Sequence, residues 1–136
     1  MSLYSLLFKK KVSMVGSPFW IPPEMVLQKP HGYPADIWSF GICLLELANR
    51  KREKDALRYL FNVAVGEMPT LHEPDRWSEK FRSFLGQCLV RDPSARGTAE
   101  QLLEHPFIKS AANNKVMRNV LSAIFLQKQL VNNNLI

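Results

Sequence analysis

The chain has 136 residues, 46% hydrophobic and 22% charged, with six Gly and nine Pro. That balance excludes a disordered, collagen-like or low-complexity polymer and is ordinary for one soluble domain able to bury a core without metal or disulfide. The net charge of +6 permits an anionic partner, but Lys and Arg are spread along the chain instead of forming one patch.

The chain opens on an apolar run, Leu3 to Phe8, followed by Lys9-Lys10-Lys11. A secretory signal carries its basic leader before the apolar run, so none is expected. A dense turn, Gly16-Ser17-Pro18-Phe19-Trp20-Ile21-Pro22-Pro23-Glu24, comes next. Pro23 suits the first position of a short helix reaching about Gln28, with Glu24 near its positive end. Lys29 to Pro34 reads as loop.

Asp36 opens the most informative helix. From Ile37 to Ala48, nine of twelve residues are apolar and they occupy every face. A helix that is apolar all round is enclosed by other elements, so this one is expected to be a central pillar. It is too short for a membrane span of about 20 residues and carries Glu46, so no membrane insertion is expected.

Asp55 is placed to cap a helix with Leu57, Leu60, Phe61 and Ala64 on one face, ended by Gly66. Ser78 caps the next, with Phe81, Phe84, Leu85, Cys88 and Leu89 as its core face. Arg91-Asp92-Pro93-Ser94 is a turn, and Thr98 with Gln101 forms a capping box for a short helix stopped by His105-Pro106. Asn113-Asn114 precedes a last amphipathic helix with Met117, Val120, Leu121, Ile124 and Phe125 on one face. No segment has a convincing strand pattern, so the chain reads as all-α.

Cys43 and Cys88 lie in apolar runs and are expected to be small core residues in a reducing, cytoplasmic compartment. His31, His72 and His105 have no ligand partner at helical spacing, so no metal site is expected.

Four groups of residues then occur in order: Met14 to Glu24; Ala35-Asp36-Ile37-Trp38-Ser39-Phe40-Gly41; Cys88-Leu89-Val90-Arg91-Asp92-Pro93-Ser94-Ala95-Arg96; and His105-Pro106-Phe107. Together they resemble the C-terminal lobe of a eukaryotic protein kinase, from late activation loop to last helix, over about residues 10–110. The likeness is to the STE group, PAK-like Ser/Thr kinases in particular. It divides the chain into residues 1–12 (the remnant of an activation loop or residues added for expression), a partial kinase domain at 13–110, and a helical extension at 111–136. The implied fold is a helical lobe lacking the N-terminal β-lobe and the upstream helices.

The resemblance assigns roles. Gly16, Ser17, Pro18, Phe19 and Trp20 form the family's substrate-binding loop, a small hydroxyl at Ser17 going with Ser/Thr specificity. Read without the resemblance, the same residues are a Pro-bounded surface turn with core aromatics. Glu24 and Arg96 correspond to the family's structural ion pair, against two surface charges as the bland reading. Asp36 is either an anchor that accepts N–H bonds from a catalytic loop or an acidic residue in a helix's first turn. Ser13 matches the activation-loop phosphorylation site, or is an ordinary surface serine.

Phosphoryl transfer needs a glycine-rich cover over the phosphates, a lysine, metal ligands and an aspartate that orients the hydroxyl. The motifs Gly-x-Gly-x-x-Gly, Val-Ala-Ile-Lys, His-Arg-Asp and Asp-Phe-Gly are absent from these 136 residues. No catalytic residue is therefore assigned and no cofactor is expected on this chain; ATP and Mg²⁺ belong to the parent kinase. Two features depart from the family pattern: Pro22 stands where the family has Ala, and the Asn49–Asp55 connection is short and basic. That basic run reads as a solvated loop, and no nucleic-acid partner is expected.

The expected function is that of a C-lobe fragment of a PAK-like Ser/Thr kinase, supplying substrate loop and scaffold and inactive alone. The alternative is a non-catalytic interaction or regulatory module derived from such a lobe. Protein substrates and regulators are the implied partners. Removing the upstream helices leaves apolar surface that monomers rarely tolerate, so a homo-oligomer is expected, unless Leu3, Leu6 and Leu7 plug the face.

Overall fold

A computed structural model of the chain describes residues 17–51 and 54–132. Among them the regular elements are α1 (Pro23–Val26), α2 (Pro34–Asn49), α3 (Ala56–Ala64), a 3₁₀ turn (Pro74–Arg76), α4 (Glu79–Cys88), α5 (Ala99–Leu103), α6 (Pro106–Lys109) and α7 (Asn114–Asn132), with His31 as a lone β-bridge residue and no strand.

Local chemistry sets most of these limits. Asp55 accepts the Arg58 N–H (3.1 Å), and Ser78 accepts the Phe81 N–H (3.2 Å). Thr98 and Gln101 close a reciprocal capping box at the start of α5. His105 ends α5 and opens α6, its Nδ1 accepting the Phe107 N–H at 3.1 Å. The Asp92 carboxyl, held below the usual carboxylate range by the Ser94 hydroxyl and N–H, closes the turn before α5.

Helix α1 is shorter than the expected reach to Gln28, because the chain turns left-handed there (φ 52°). The Lys29 N–H then reaches the Glu24 carbonyl (2.7 Å) and the Gln28 N–H the Met25 carbonyl (3.1 Å), a Schellman stop built on glutamine. Helix α2 starts two residues before Asp36, with Pro34 at its first turn, and ends at Arg50, again left-handed.

The core is organised along α2. Its Trp38 and Ile42 pack with Tyr59 and Val63 of α3. Ala35 packs with Ile21 and Met25, and Leu45 with Phe81 and Leu85 of α4. Phe84, Cys88 and Leu102 form a fourth group against Ile37 and Leu44. Gly41 permits the close approach of α2 to α4: a Cβ there would stand 2.8 Å from the Cys88 Cβ, closer than carbon atoms pack.

Three expectations about burial are corrected. Helix α2 is a spine covered except along one stripe: Ala35, Trp38, Gly41, Ile42 and Leu45 are buried and Ile37, Leu44 and Ala48 half-buried, whereas Asp36, Phe40 and Cys43 are exposed and Leu47 is 75% exposed. Cys43 is therefore not a core residue. Cys88 is, and burial pushes its thiol up to about 11. On α3 the buried residues are Tyr59 and Val63, while Leu57 (80% exposed) and Phe61 (64%) face outward. Of the expected stripe, Leu60 and Ala64 are half-buried, Leu60 packing against the core, while Leu57 and Phe61 are not; the packing side is turned toward Tyr59, which reaches a polar partner inside the core.

Candidate functional site: a loop latched to a helical lobe

The loop at Ser17–Trp20 is held from three directions. Its turn closes with the Trp20 N–H on the Ser17 carbonyl (3.4 Å). Ser39 of α2 donates its hydroxyl to the Trp20 carbonyl at 2.7 Å, and the Trp20 indole donates to Glu46 at 3.2 Å. Ser39 and Glu46 are seven residues apart, two helical turns, and so lie on one face of α2. Phe19 packs edge-on to Trp20 (centroids 6.0 Å apart) and against Tyr59 (6.2 Å). Ser17 itself remains exposed at the outer end of the loop.

Below the loop, the Trp38 indole donates to the Tyr59 hydroxyl (3.3 Å), which donates to the Ile21 carbonyl (3.4 Å). Burial pushes the Tyr59 phenol up to about 12. It is therefore neutral and able to donate throughout the physiological range. This relay joins loop, spine and α3 through two side chains that would each be unsatisfied alone.

The loop's far end is fixed by Glu24 and Arg96. Arg96 Nη1 and Nη2 each lie 2.9 Å from one Glu24 carboxylate oxygen, with side chains 0% and 3% exposed for Arg96 and Glu24. The guanidinium also donates to the carbonyls of Pro34 (2.6 Å), Val90 (3.0 Å) and Arg91 (3.4 Å). Its centre stands 5.3 Å from the Trp38 ring, close enough for a cation–π contact. A lysine would offer a point charge in place of this fork and could not serve all these acceptors.

Asp36 is exposed in the first turn of α2, where a carboxylate is favourable to the helix dipole. Gly16 and Ser13 lie outside the described residues. Among those described, no group of His, Cys, Asp and Glu could hold a metal, and no helix is long and apolar enough to cross a membrane.

Four residues of this arrangement went unread in the sequence. Ser39, Glu46 and Tyr59 hold the loop, and Arg91 holds the end of α3 through the carbonyls of Asn62 (3.1 Å), Val63 (3.2 Å) and Gly66 (2.8 Å). The one available signal was Glu46, a lone acid in an apolar run. It reads as a membrane-excluding residue when it is in fact an acceptor for Trp20.

An all-helical body, one spine helix, and a Pro-bounded loop latched by a buried Glu–Arg pair agree with the helical protein-kinase lobe that the sequence motifs imply. The model of the protein kinase domain family matches residues 5–108, and the chain belongs to that family. Probable serine/threonine-protein kinase mkcB of Dictyostelium discoideum is 49% identical over 121 residues, 88% of this chain and 17% of that protein. Probable serine/threonine-protein kinase mkcC of the same organism is 48% identical over 120 residues, 87% of this chain and 14% of that protein. Serine/threonine-protein kinase 10 of Homo sapiens is 40% identical over 122 residues, 84% and 13%. The chain thus spans about one-sixth of the length of these relatives or less.

Proposed function

We propose that these residues are the substrate-platform half of a PAK-like Ser/Thr kinase lobe, whose parent transfers the ATP γ-phosphate to protein Ser or Thr in the cytoplasm. The observation that carries this reading is the loop Ser17–Trp20, fastened to the spine at Ser39 and Glu46 and followed by the Glu24–Arg96 latch. Such a loop presents a rigid, apolar-backed edge beside the exposed Ser17 hydroxyl. An acceptor side chain can be laid against it without the loop having to order first. Ser13 is the proposed phosphorylation site, and Asp36 the proposed contact for a catalytic loop.

Nucleotide and Mg²⁺ handling fall to groups that these 136 residues lack, so the chain by itself is proposed to be inactive. The test is phosphotransfer. A longer reading frame carrying the missing motifs labels Ser and Thr peptides over Tyr peptides and loses that transfer on Ser17→Tyr. Equal labelling of Tyr peptides would overturn the specificity reading.

The second reading, a non-catalytic interaction module, is favoured by the uncovered side of α2, with Phe40, Cys43 and Leu47 in contact with solvent. On either reading that face pairs with another protein surface, in the simplest case a second copy of the chain. Light scattering is expected to give at least a dimer mass, falling to the monomer in Leu47→Glu. A monomeric wild-type chain would contradict it.

A further inference from the structure

Helix α7 has no buried residue along its 19 positions. Its start is fixed only by Asn113, which accepts the Val116 N–H at 3.1 Å. Val116, Met117, Val120, Leu121, Ile124 and Val131 share one broad side and are each 48–58% exposed; Phe125 (62%), expected on that face, falls at its far edge beside Arg118, and Leu126 (60%) falls beside Lys115. Four β-branched residues lower the intrinsic stability of this helix in water, and a surface that covered its apolar side would raise it. The family model ends at residue 108, before α7, while the matches to mkcB and mkcC, 88% and 87% of the chain, run into it.

Charge selects the cover. From His105 to the end, the sequence holds Lys109, Lys115, Arg118 and Lys128 and no Asp or Glu. Met117, Leu121, Ile124, Lys128 and Val131 follow the 4-3-4-3 spacing of a coiled-coil seam. Two parallel copies would set Lys128 against Lys128 with no acid on either helix to offset the repulsion. The uncovered side of α2 begins at the exposed Asp36 and ends at Arg50 and Lys51, a face of mixed sign with no excess of acid to draw the cations of α7. A closed protein groove would bury Gln127 and Lys128, which interrupt the apolar side. At a lipid interface the same two side chains snorkel to the headgroups.

We infer that α7 is an interfacial anchor for anionic membranes, lying in the plane of the bilayer surface and not crossing it. Its apolar side enters the boundary between headgroups and acyl chains. Lys115 and Arg118, on the other side, remain within a Debye length of about 8–10 Å of the headgroup charge. The kinase body would then be held with its substrate loop close to membrane-associated acceptors.

The test is co-sedimentation of the full 136-residue chain with vesicles of phosphatidylcholine alone or mixed with phosphatidylserine. Binding is expected to the mixed vesicles, to weaken as salt is raised, and to be lost in Ile124→Glu. The double variant Lys115→Gln/Arg118→Gln is expected to bind roughly thirtyfold more weakly, at about fivefold per charge. Because α7 buries nothing, the thermal transition of the body stays unchanged in both variants and separates lost binding from lost folding. No binding to mixed vesicles overturns the inference, as does equal binding to phosphatidylcholine alone. Undiminished binding of Ile124→Glu also overturns it, since charge on the body would then suffice. So does a wild-type chain that ignores vesicles but loses a dimer mass on Ile124→Glu, which would make α7 a pairing helix.

Discussion

Arg96→Ala is expected to lower the thermal midpoint of the chain by about 10–20 °C, from a loss of roughly 3–5 kcal/mol. The cost is not that of one ion pair. The Glu24 carboxylate stays 3% exposed and would be left charged without its counter-ion, while the carbonyls of Pro34 and Val90 lose their donor. Because small domains hold only about 5–15 kcal/mol in total, a deletion of this size approaches the whole margin. Arg96→Lys is expected to recover only a minor part, since it restores charge but not the fork. Circular dichroism melting checks both. A midpoint within about 2 °C of wild type for Arg96→Ala, less than a 1 kcal/mol effect for a chain this size, would mean that Glu24 finds water.

Trp38→Ala is the second large effect, with an expected loss of about 3–5 kcal/mol, read as a lower denaturation midpoint in urea at unchanged slope. Trp38 is 0% exposed and stands where α2, α3, the loop and Arg96 meet. Removing the ring leaves a cavity that four elements must collapse into together. It also takes away the donor to the Tyr59 hydroxyl. Trp38→Phe is expected to cost less, because most of the volume remains while the indole N–H is lost. A near-neutral Trp38→Ala would mean that the loop, not the spine, carries the packing.

The two variants touch the parts of the molecule that differed most in legibility. Helix ends were readable because caps are local: Asp55, Ser78 and the Thr98–Gln101 box act over three residues and need no knowledge of the fold. The face of α4 was readable for a similar reason, since Phe81, Phe84, Leu85 and Cys88 admit one orientation. Helix α3 offered two apolar sides, Leu57–Phe61 and Tyr59–Val63. The choice was made by Trp38, twenty-one residues away, through a hydrogen bond that no local pattern records.

Helix α2 shows a different limit. Its composition describes an element covered on all sides, and four core groups do meet along it. Its second side is apolar for a contact that none of the described residues supplies, which is why Cys43 and Leu47 stand exposed. The Glu24–Arg96 pair is separated by 72 residues and could be matched only through the family resemblance. The additional carbonyls gathered by Arg96, and Ser39 and Glu46 beneath the loop, follow from the way the chain wraps around α2.

The central proposal is a division of labour: these residues would present and fasten a substrate loop, and the chemistry of phosphoryl transfer would reside in groups they do not contain. Its most direct measurement is incubation of the purified 136-residue chain with radiolabelled ATP, Mg²⁺ and a Ser/Thr protein substrate. The account predicts no label in the substrate and none in the chain itself at any time point. Labelling that rises in proportion to chain concentration, and persists after rigorous removal of other kinases, would contradict it.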